Sequence, residues 1–480
     1  MSKTVVPEHI LQPLLNSANC LTLEEALEAL VTCAKTEHGR SELASKNTVP
    51  IVLELAKLLS THCLLLSSLK LLRNLCAGQL QNQDSFIANN GVKIILMALD
   101  SVGLGSDSNI GIIRTGLQLL GNVSLAGEEH QRAIWLALFP NKFMEIAMIR
   151  SSEICDPLCM VIYTCCSGND ELFEVLCDSQ GLKIMAEIVR SASIDGFKEE
   201  WLKWLLSKIC SKHDHFPTLF SQLSSYDEDD EYPVFSEGQA FLLSVLSECV
   251  NQQTNEISVS NESTLFIFGI LKKALGTLDF SSRPTSGLPT GILEVDILGY
   301  SMIILRDICV LYGPRSSRKE GTIDVVDYLL SSGLLELMLN ILHDLGPPGL
   351  IRNSIPKGER NNTSRDDGVL KKCPYKGFRR DIVATIAHCL HKRKYAQDEI
   401  RRRDGIVLLL QQGVVDEDNP HLREWGIWSQ RAMLEGNEEN MRFVSELQAQ
   451  EAVDAPELLG LGLRVELDPI TRRPKLVNAT

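Results

Sequence analysis

The sequence predicts an all-α chain, a solenoid of stacked helical repeats finished by a small C-terminal hairpin. Three observations carry that prediction. A leucine-rich helix end, a short helix, a glycine turn and a second apolar helix follow one another in fixed order. The same order returns with a period in the forties, which marks a repeat array. The alternation expected of strands is read near the C-terminus, on either side of a turn.

Each element has a local cause. Leu71-Leu72-Arg73-Asn74-Leu75-Cys76 ends one helix, Asn82 to Ala88 forms a short one, Asn89-Asn90-Gly91 turns, and Val92 to Leu99 begins the next. Leu119-Leu120-Gly121-Asn122-Val123 repeats the first segment about 48 positions on. Phe197, Trp201, Trp204, Leu205 and Ile209 lie at helical spacing and are expected on one core face. Leu305-Arg306-Asp307-Ile308-Cys309 is a further copy, followed by Val325 to Leu330, the turn Ser331-Ser332-Gly333, and Leu334 to Ile341. Ala387-His388-Cys389-Leu390 opens the last copy, with Gln397 to Arg402, Asp404-Gly405 and Ile406 to Leu410. Gly91, Gly333 and Gly405 are expected to turn the chain through φ > 0, with Asp404 beside the last of them. Asp418-Asn419-Pro420 reads as the stop of one helix and the cap of another, because proline in a first turn loses no hydrogen bond. Glu424-Trp425 follows, with Trp425 expected as a core anchor between the last repeats. Leu463 to Leu467 and Pro474 to Val477 flank Asp468-Pro469 as the hairpin.

Domain organisation follows from composition shifts. Helical repeats are expected over 1–222, an acidic loop and connecting helix over 223–262, middle repeats over 263–345, a flexible loop over 346–376, and a C-terminal domain over 377–480. Asp227-Glu228-Asp229-Asp230-Glu231 is too charged to pack, and 346–376 is rich in Gly, Pro, Asn, Ser and charge.

Composition bounds the function. The chain has 480 residues, 44% hydrophobic and 23% charged, enough for a large core. A net charge of −15 argues against nucleic acid as the main partner. Met1 to Asn16 lacks the apolar run of a secretory signal, and no stretch reads as a membrane span, so a cytoplasmic protein is expected. The 14 cysteines fit a reducing compartment; Cys76, Cys210, Cys249, Cys309 and Cys389 fall in apolar helical patterns, and Cys155, Cys159, Cys165 and Cys166 lack zinc spacing. The sequons at Asn122, Asn261 and Asn361 are then incidental. No phosphate loop, nucleophile elbow or His-Glu-x-x-His is present, so no catalytic residue, metal or cofactor is expected. His213, Asp214 and His215 form a lone cluster, and Cys389-x-His391 reads as a helix fragment.

The repeat order with three helices and a glycine turn resembles armadillo and HEAT repeats. From Gly377 to Val477 the chain resembles the ataxin-10 domain, on Gln397-Asp398, Asp404-Gly405-Ile406, Asp418-Asn419-Pro420, Glu424-Trp425 and the Gly462 to Val477 ending. Weaker likeness runs through Glu200-Trp201 and Leu71 to Ile87. The resemblance implies a non-enzymatic cytoplasmic scaffold linked to cell division, survival and differentiation and to self-association. It also implies the O-linked N-acetylglucosamine transferase as a partner. Where relatives tend to carry a groove asparagine, this chain has His388 and Ala432.

Two surfaces are candidates for binding. Asn74 and Asn122, with Arg73 beside the first, end repeat helices; their amides either hold an extended peptide or satisfy backbone groups of their own turns. An import receptor would also need a tryptophan one turn earlier, where this chain has Lys70 and Gln118; Trp428 has that offset only to Ala432. The second surface is 371–403, whose eleven Lys and Arg, including Arg379, Arg380, Lys392, Arg393 and Lys394, face three acidic residues. It either docks an acidic or phosphorylated partner, complements the acidic loop of a second copy, or is a solvated helix face. The expected function is an interaction scaffold or adaptor. The alternatives are an armadillo-type regulator or co-chaperone clamping another machine, a peptide-cargo carrier and, more remotely, an enzyme.

Overall fold

In a computed structural model the chain forms two compact units, Met1–Tyr232 with Ser236–Val245, and Pro233–Phe235 with Leu246–Thr480. The structure describes residues 20–58, 62–103, 109–195, 200–212, 214–224, 234–252, 259–280, 286–312, 324–354, 371–447, 463–469 and 474–478.

The first unit opens on α1 (Cys20–Cys33) and continues in three-helix repeats: α2 (Glu37–Ser45), α3 (Thr48–Leu58) and α4 (His62–Leu75); α5 (Leu80–Ala88), α6 (Gly91–Val102) and α7 (Ile110–Ser124); α8 (Glu128–Leu138), α9 (Asn141–Ala147) and α10 (Ser152–Cys166). A fourth repeat, α11 (Asp170–Leu176), α12 (Ser179–Asp195) and α13 (Trp201–Ser207), ends in a π-helical turn, Lys208–Lys212. Then come α14 (Phe216–Gln222) and α15 (Glu237–Gln252), whose residues divide between the units. The second unit holds α16 (Asn261–Thr277), α17 (Leu293–Leu311), α18 (Val325–Ser331), α19 (Leu334–Leu345), α20 (Gly349–Ser354) and α21 (Phe378–Leu390). It ends with α22 (Lys394–Arg402), α23 (Gly405–Leu410), α24 (Leu422–Leu434), α25 (Glu438–Glu446) and the antiparallel strands β1 (Leu463–Leu467) and β2 (Pro474–Asn478). These are the armadillo/HEAT-like repeats and hairpin expected from the sequence. Among the described residues no single helix is long and apolar enough to cross a membrane.

Third helices stack on third helices. In the first unit α1, α4, α7, α10 and α13 pack each on the next; in the second α16, α17, α21 and α24 do so. Leucine and isoleucine at helical spacing fill the space behind these ladders, with Phe86, Phe143, Phe173, Phe216 and Phe378 fully buried. The cysteines read as core residues, Cys76, Cys210, Cys249, Cys309 and Cys389 among them, are buried. Burial pushes the Cys165 thiol up to about 12.

The glycine turns work differently from the sequence reading at two of three positions. Gly333 itself takes φ 94°. At the other two turns the left-handed residue is the one before, Asn90 at φ 55° and Asp404 at φ 56°. Gly91 is required by proximity instead: a Cβ there would lie 2.6 Å from the Phe86 ring. At Gly405 it would lie 3.0 Å from Leu339 and 3.2 Å from the Ile400 carbonyl.

A buried amide seven residues after a third helix's last turn closes that helix. Asn82 donates to the Leu75 carbonyl (2.8 Å), Gln397 to Leu390 (3.4 Å) and Asn440 to Met433 (3.0 Å). Final-turn carbonyls have no intrahelical donor, so a side-chain N–H takes that place. The same amides tie neighbouring repeats. Asn82 also reaches the Arg40 carbonyl, Asn440 the Gln397 carbonyl, and Gln397 the Ala432 carbonyl at 2.8 Å. Asn437 joins the last two repeats by donating to Asp398 at 2.8 Å, which holds that carboxyl below its ordinary value.

Two readings change, one of a loop and one of a core face. Gly346 to Lys376 is not one flexible excursion: α20 lies within it, Lys372 N–H bonds the Phe280 carbonyl, and Tyr375 is buried; 355–370 lies outside the described residues. The acidic run 227–231, Phe197 and His213 also lie outside them. Leu205 and Ile209 are core, whereas Trp204 is exposed.

Candidate protein-interaction surface

The outward face of each ladder is the side that core packing leaves open, because the inner faces are filled by the core. On the first unit this face carries Arg73 and Asn74 from α4, Arg114, Gln118 and Asn122 from α7, Glu153, Asp156, Met160 and Tyr163 from α10, and Trp201 and Trp204 from α13. The two asparagines are engaged with their own fold. Asn74 Nδ2 donates to the Val31 carbonyl (3.3 Å) and Asn122 Nδ2 to the Arg73 carbonyl (3.0 Å), each near the end of the preceding ladder helix. Arg73 bridges them, donating to Asn74 Oδ1 at 3.1 Å and to Gln118 Oε1 at 2.8 Å. Burial and the neighbouring Arg114 lower the Arg73 guanidinium from its ordinary value. The amides thus satisfy helix-end carbonyls, the structural one of the two readings made from the sequence.

Beside them opens a cleft of about 410 Å³, lined by Arg114, Gln118, Glu153, Asp156, Met160 and Trp201 among others. Its helices approach closely at Gly121, where a Cβ would sit 2.2 Å from Met160 Cε. Trp201 and Trp204 meet edge to face at 5.1 Å, and Tyr163 lies 5.4 Å from each.

On the second unit the ladder carries a matching cluster. His388 lies 4.5 Å from Trp428 and 5.4 Å from Trp425; the two indoles are 5.5 Å apart, and His391 is 5.8 Å from Trp428. Trp425 is only part-buried, so it is a ladder-face residue and not the core anchor expected. Asn419 and Pro420 do not cap α24; that helix begins after His421, which is left-handed. Asn419 Oδ1 instead accepts the Arg379 N–H at 2.9 Å, satisfying a first-turn donor of α21.

The basic stretch 371–403 is largely consumed inside the fold. Arg379 is buried and donates to the carbonyls of Gly346 (2.8 Å) and Leu345 (3.3 Å). Arg393 is buried between Asp324 (2.6 Å) and Asp327 (3.1 Å). Arg380 binds Asp381 at 2.8 Å; Arg401, Arg402 and Arg403 pair with Glu439, Glu399 and Glu336 respectively. Lys392 and Lys394 stay exposed. A docking patch built on Arg379 and Arg393 is therefore corrected to a set of packing contacts. Among the described residues, no group of three or more His, Cys, Asp or Glu is placed to hold a metal ion.

His388 carries the clearest pH signature. Its Nε2 is buried without a hydrogen-bond partner, and burial, then Arg306 and His391, push its pKa down to about 4. The folded chain prefers neutral His388, so this contribution is intact above the ordinary histidine value near 6.5 and lost as pH falls towards 4. Urea unfolding is expected to show a loss of roughly 2 kcal/mol over that interval, after allowance for partial exposure. His388→Gln should flatten that limb; an identical pH slope in the variant would assign the loss elsewhere.

A stack of three-helix repeats whose third helices form a ladder with side chains facing outward defines a helical-repeat protein of the armadillo/HEAT type. Residues 378–475 match the family model described as the spinocerebellar ataxia type 10 protein domain. Over 92% of its length the chain is 23% identical to ataxin-10 of Bos taurus and 24% identical to ataxin-10 of Homo sapiens, spanning 92% of each. The chain is thus similar to ataxin-10 proteins over most of its length, and its C-terminal segment matches their domain model. Among solved structures it is similar to a designed armadillo repeat protein, with 16% identity over 51% of this chain and 98% of that one, at a TM-score of 0.35.

The amide closure of third helices was missed in the sequence reading. Its signal was available, since Asn82, Gln397 and Asn440 share one offset from an apolar helix end.

Proposed function

We propose that this chain is a non-enzymatic interaction scaffold of the ataxin-10 type, working in the cytosol by presenting its ladder faces to segments of other proteins. One observation carries the reading. Both units leave large aromatic side chains part-exposed on the ladder, Tyr163 with Trp201 and Trp204, and Trp425 with Trp428, where core packing does not require them. Clustered aromatics at a surface are the usual anchors of protein contacts. Family likeness supports a role in cell division, survival and differentiation, with the O-linked N-acetylglucosamine transferase as a partner to test first.

A second reading, self-association through the C-terminal unit, is favoured by Ile427, Met441 and Leu447, exposed on or just after its last two helices. Terminal repeats ordinarily present a polar outer face.

The test is proximity labelling in cells with the full chain and with Trp204→Ala/Trp425→Ala. The variant should fold and lose most of the labelled partners, the transferase included. An unchanged partner set would end the ladder-scaffold reading, and light scattering of the same proteins reports self-association directly.

A further inference from the structure

We propose that the cleft walled by α20, Lys371 to Cys373 and the turn at Asp416 to Asn419 seats a phosphate monoester, the phosphorylated serine or threonine of a partner segment. The partner rests on the scaffold reading; the anion site rests on the cleft alone.

The cleft holds about 450 Å³ within the second unit, lined by Arg352, Lys371, Lys372 and Arg379 together with Asp416 and Asp418. Its two guanidinium groups decide what it can hold. Arg379 uses its donors within the fold, on the carbonyls of Gly346 (2.8 Å) and Leu345 (3.3 Å) and on Gln412 Oε1 (3.3 Å), and all three acceptors are neutral. Its hydrogen bonds are satisfied while its charge is not. Arg352 donates through Nη2 to the Pro347 carbonyl at 2.9 Å, again a neutral acceptor, and its Nε is buried without a hydrogen-bond partner. Among the described residues neither guanidinium makes an ion pair. Burial holds the Arg379 guanidinium below its ordinary value, and Arg352 presses in the same direction against the pull of Cys373 and Asp416. Two like charges and one orphaned buried donor beside one cavity are relieved together by a single anion.

The carboxylates already present set the charge the guest must bring. Asp416 is held in its own turn, accepting the Asp418 N–H (2.9 Å) and the Asn419 amide (3.2 Å), and Lys371 is paired with Asp344 (2.9 Å). A carboxylate guest, with one negative charge, would meet Asp416 and Asp418 at little advantage. A phosphate monoester carries about −1.5 to −2 at pH 7 and three strong acceptor oxygens, which suits the guanidinium N–H groups. Among the described residues no aromatic ring lines the cleft, so a nucleotide base would find nothing to stack on. A phosphorylated side chain needs no such ring. The overall charge of −15 acts against any anion at long range, yet it is screened beyond about 8 Å at physiological ionic strength, so the local guanidinium pair decides.

The test is fluorescence anisotropy on the full chain with a labelled peptide of roughly eight residues, one phosphoserine among glycine and alanine, beside its serine and glutamate counterparts. The phosphopeptide should bind saturably, and each counterpart about tenfold less tightly. Arg352→Gln should cost about tenfold at unchanged thermal unfolding, and Arg352→Lys, which keeps the charge but loses the planar fork, should recover part of it. Lys372→Glu, at an exposed position lining the cleft, should weaken binding several-fold even if Arg352→Gln proves unstable; Lys394→Glu, exposed outside the cleft, should not. Equal binding of the three peptides, no binding of the phosphopeptide, or full affinity in both Arg352→Gln and Lys372→Glu would overturn the proposal. Displacement of the phosphopeptide by an equal concentration of inorganic phosphate would overturn it too, because the site would then take free phosphate and not a partner's side chain. If the phosphopeptide fails while Trp204→Ala/Trp425→Ala still loses its cellular partners, the phosphate seat alone is wrong; if it binds while that variant keeps its partners, the seat stands and the ladder reading falls.

Discussion

Asp381→Ala is expected to destabilise the second unit by about 3–5 kcal/mol, the largest single-residue effect foreseen outside the apolar core. The carboxylate is fully buried in the first turn of α21. It accepts from Arg306 Nη1 (2.8 Å), from Arg380 Nη2 (2.8 Å) and Nε (3.0 Å), and from the Tyr375 hydroxyl (3.0 Å). Removing it leaves the Arg380 guanidinium and the buried Tyr375 phenol without this acceptor and Arg306 with Asp307 (2.8 Å) as its remaining carboxylate, and an uncompensated buried donor costs more than the lost bond itself. Tyr375 shows the strength of the coupling: burial first, then Asp381, raises its hydroxyl well above the ordinary value. The helix terminus adds to the cost, because a negative charge in a first turn offsets the unpaired N–H groups. Asp381→Asn keeps the shape and one acceptor, and should fall between wild type and alanine. Urea unfolding followed by circular dichroism measures both. A loss under 1 kcal/mol for the alanine variant would mean that Arg306 and Arg380 find other partners or water.

The repeat order was legible because its causes are local. Helix ends at Leu75 and Ser124, the turns at Asn90-Gly91 and Asp404-Gly405, and the C-terminal hairpin each follow from apolar spacing and turn chemistry within a few residues. What was not legible depends on distant partners. The charge run 371–403 looked like a docking patch because counting charge along the chain cannot see that Arg393 finds Asp324 and Asp327, 69 and 66 positions away. Asn419 looked like the cap of the following helix, yet it serves α21, 40 positions back. Trp204 and Trp425 share the spacing of core residues, and periodicity alone does not say whether a ladder helix turns a ring inward or outward. The candidate surface was thus half readable: the ladder was, its aromatic clusters were not.

Gly426→Ala should destabilise the same unit by about 2–3 kcal/mol, against the sign that helix propensity alone would give. Gly426 lies inside α24, where alanine is intrinsically better by about 1 kcal/mol. Packing reverses that preference. A Cβ at this position would lie 2.3 Å from the Gln412 carbonyl oxygen, 2.5 Å from its carbon and 2.8 Å from the Gly413 nitrogen. These are backbone atoms, so no rotamer change can make room; the helix must move off the turn after α23. The displacement would carry Trp425 and Trp428 with it, and their emission should shift alongside the stability loss. Gly269→Ala is the matching control, within α16 with nothing within 4 Å of the added methyl, and should stabilise by roughly 0.5–1 kcal/mol. Opposite signs for two glycine-to-alanine changes, read by urea unfolding, would establish that close backbone approach, not turn conformation, fixes glycine at 426; a neutral or stabilising Gly426→Ala would show that α24 has room to shift without loss.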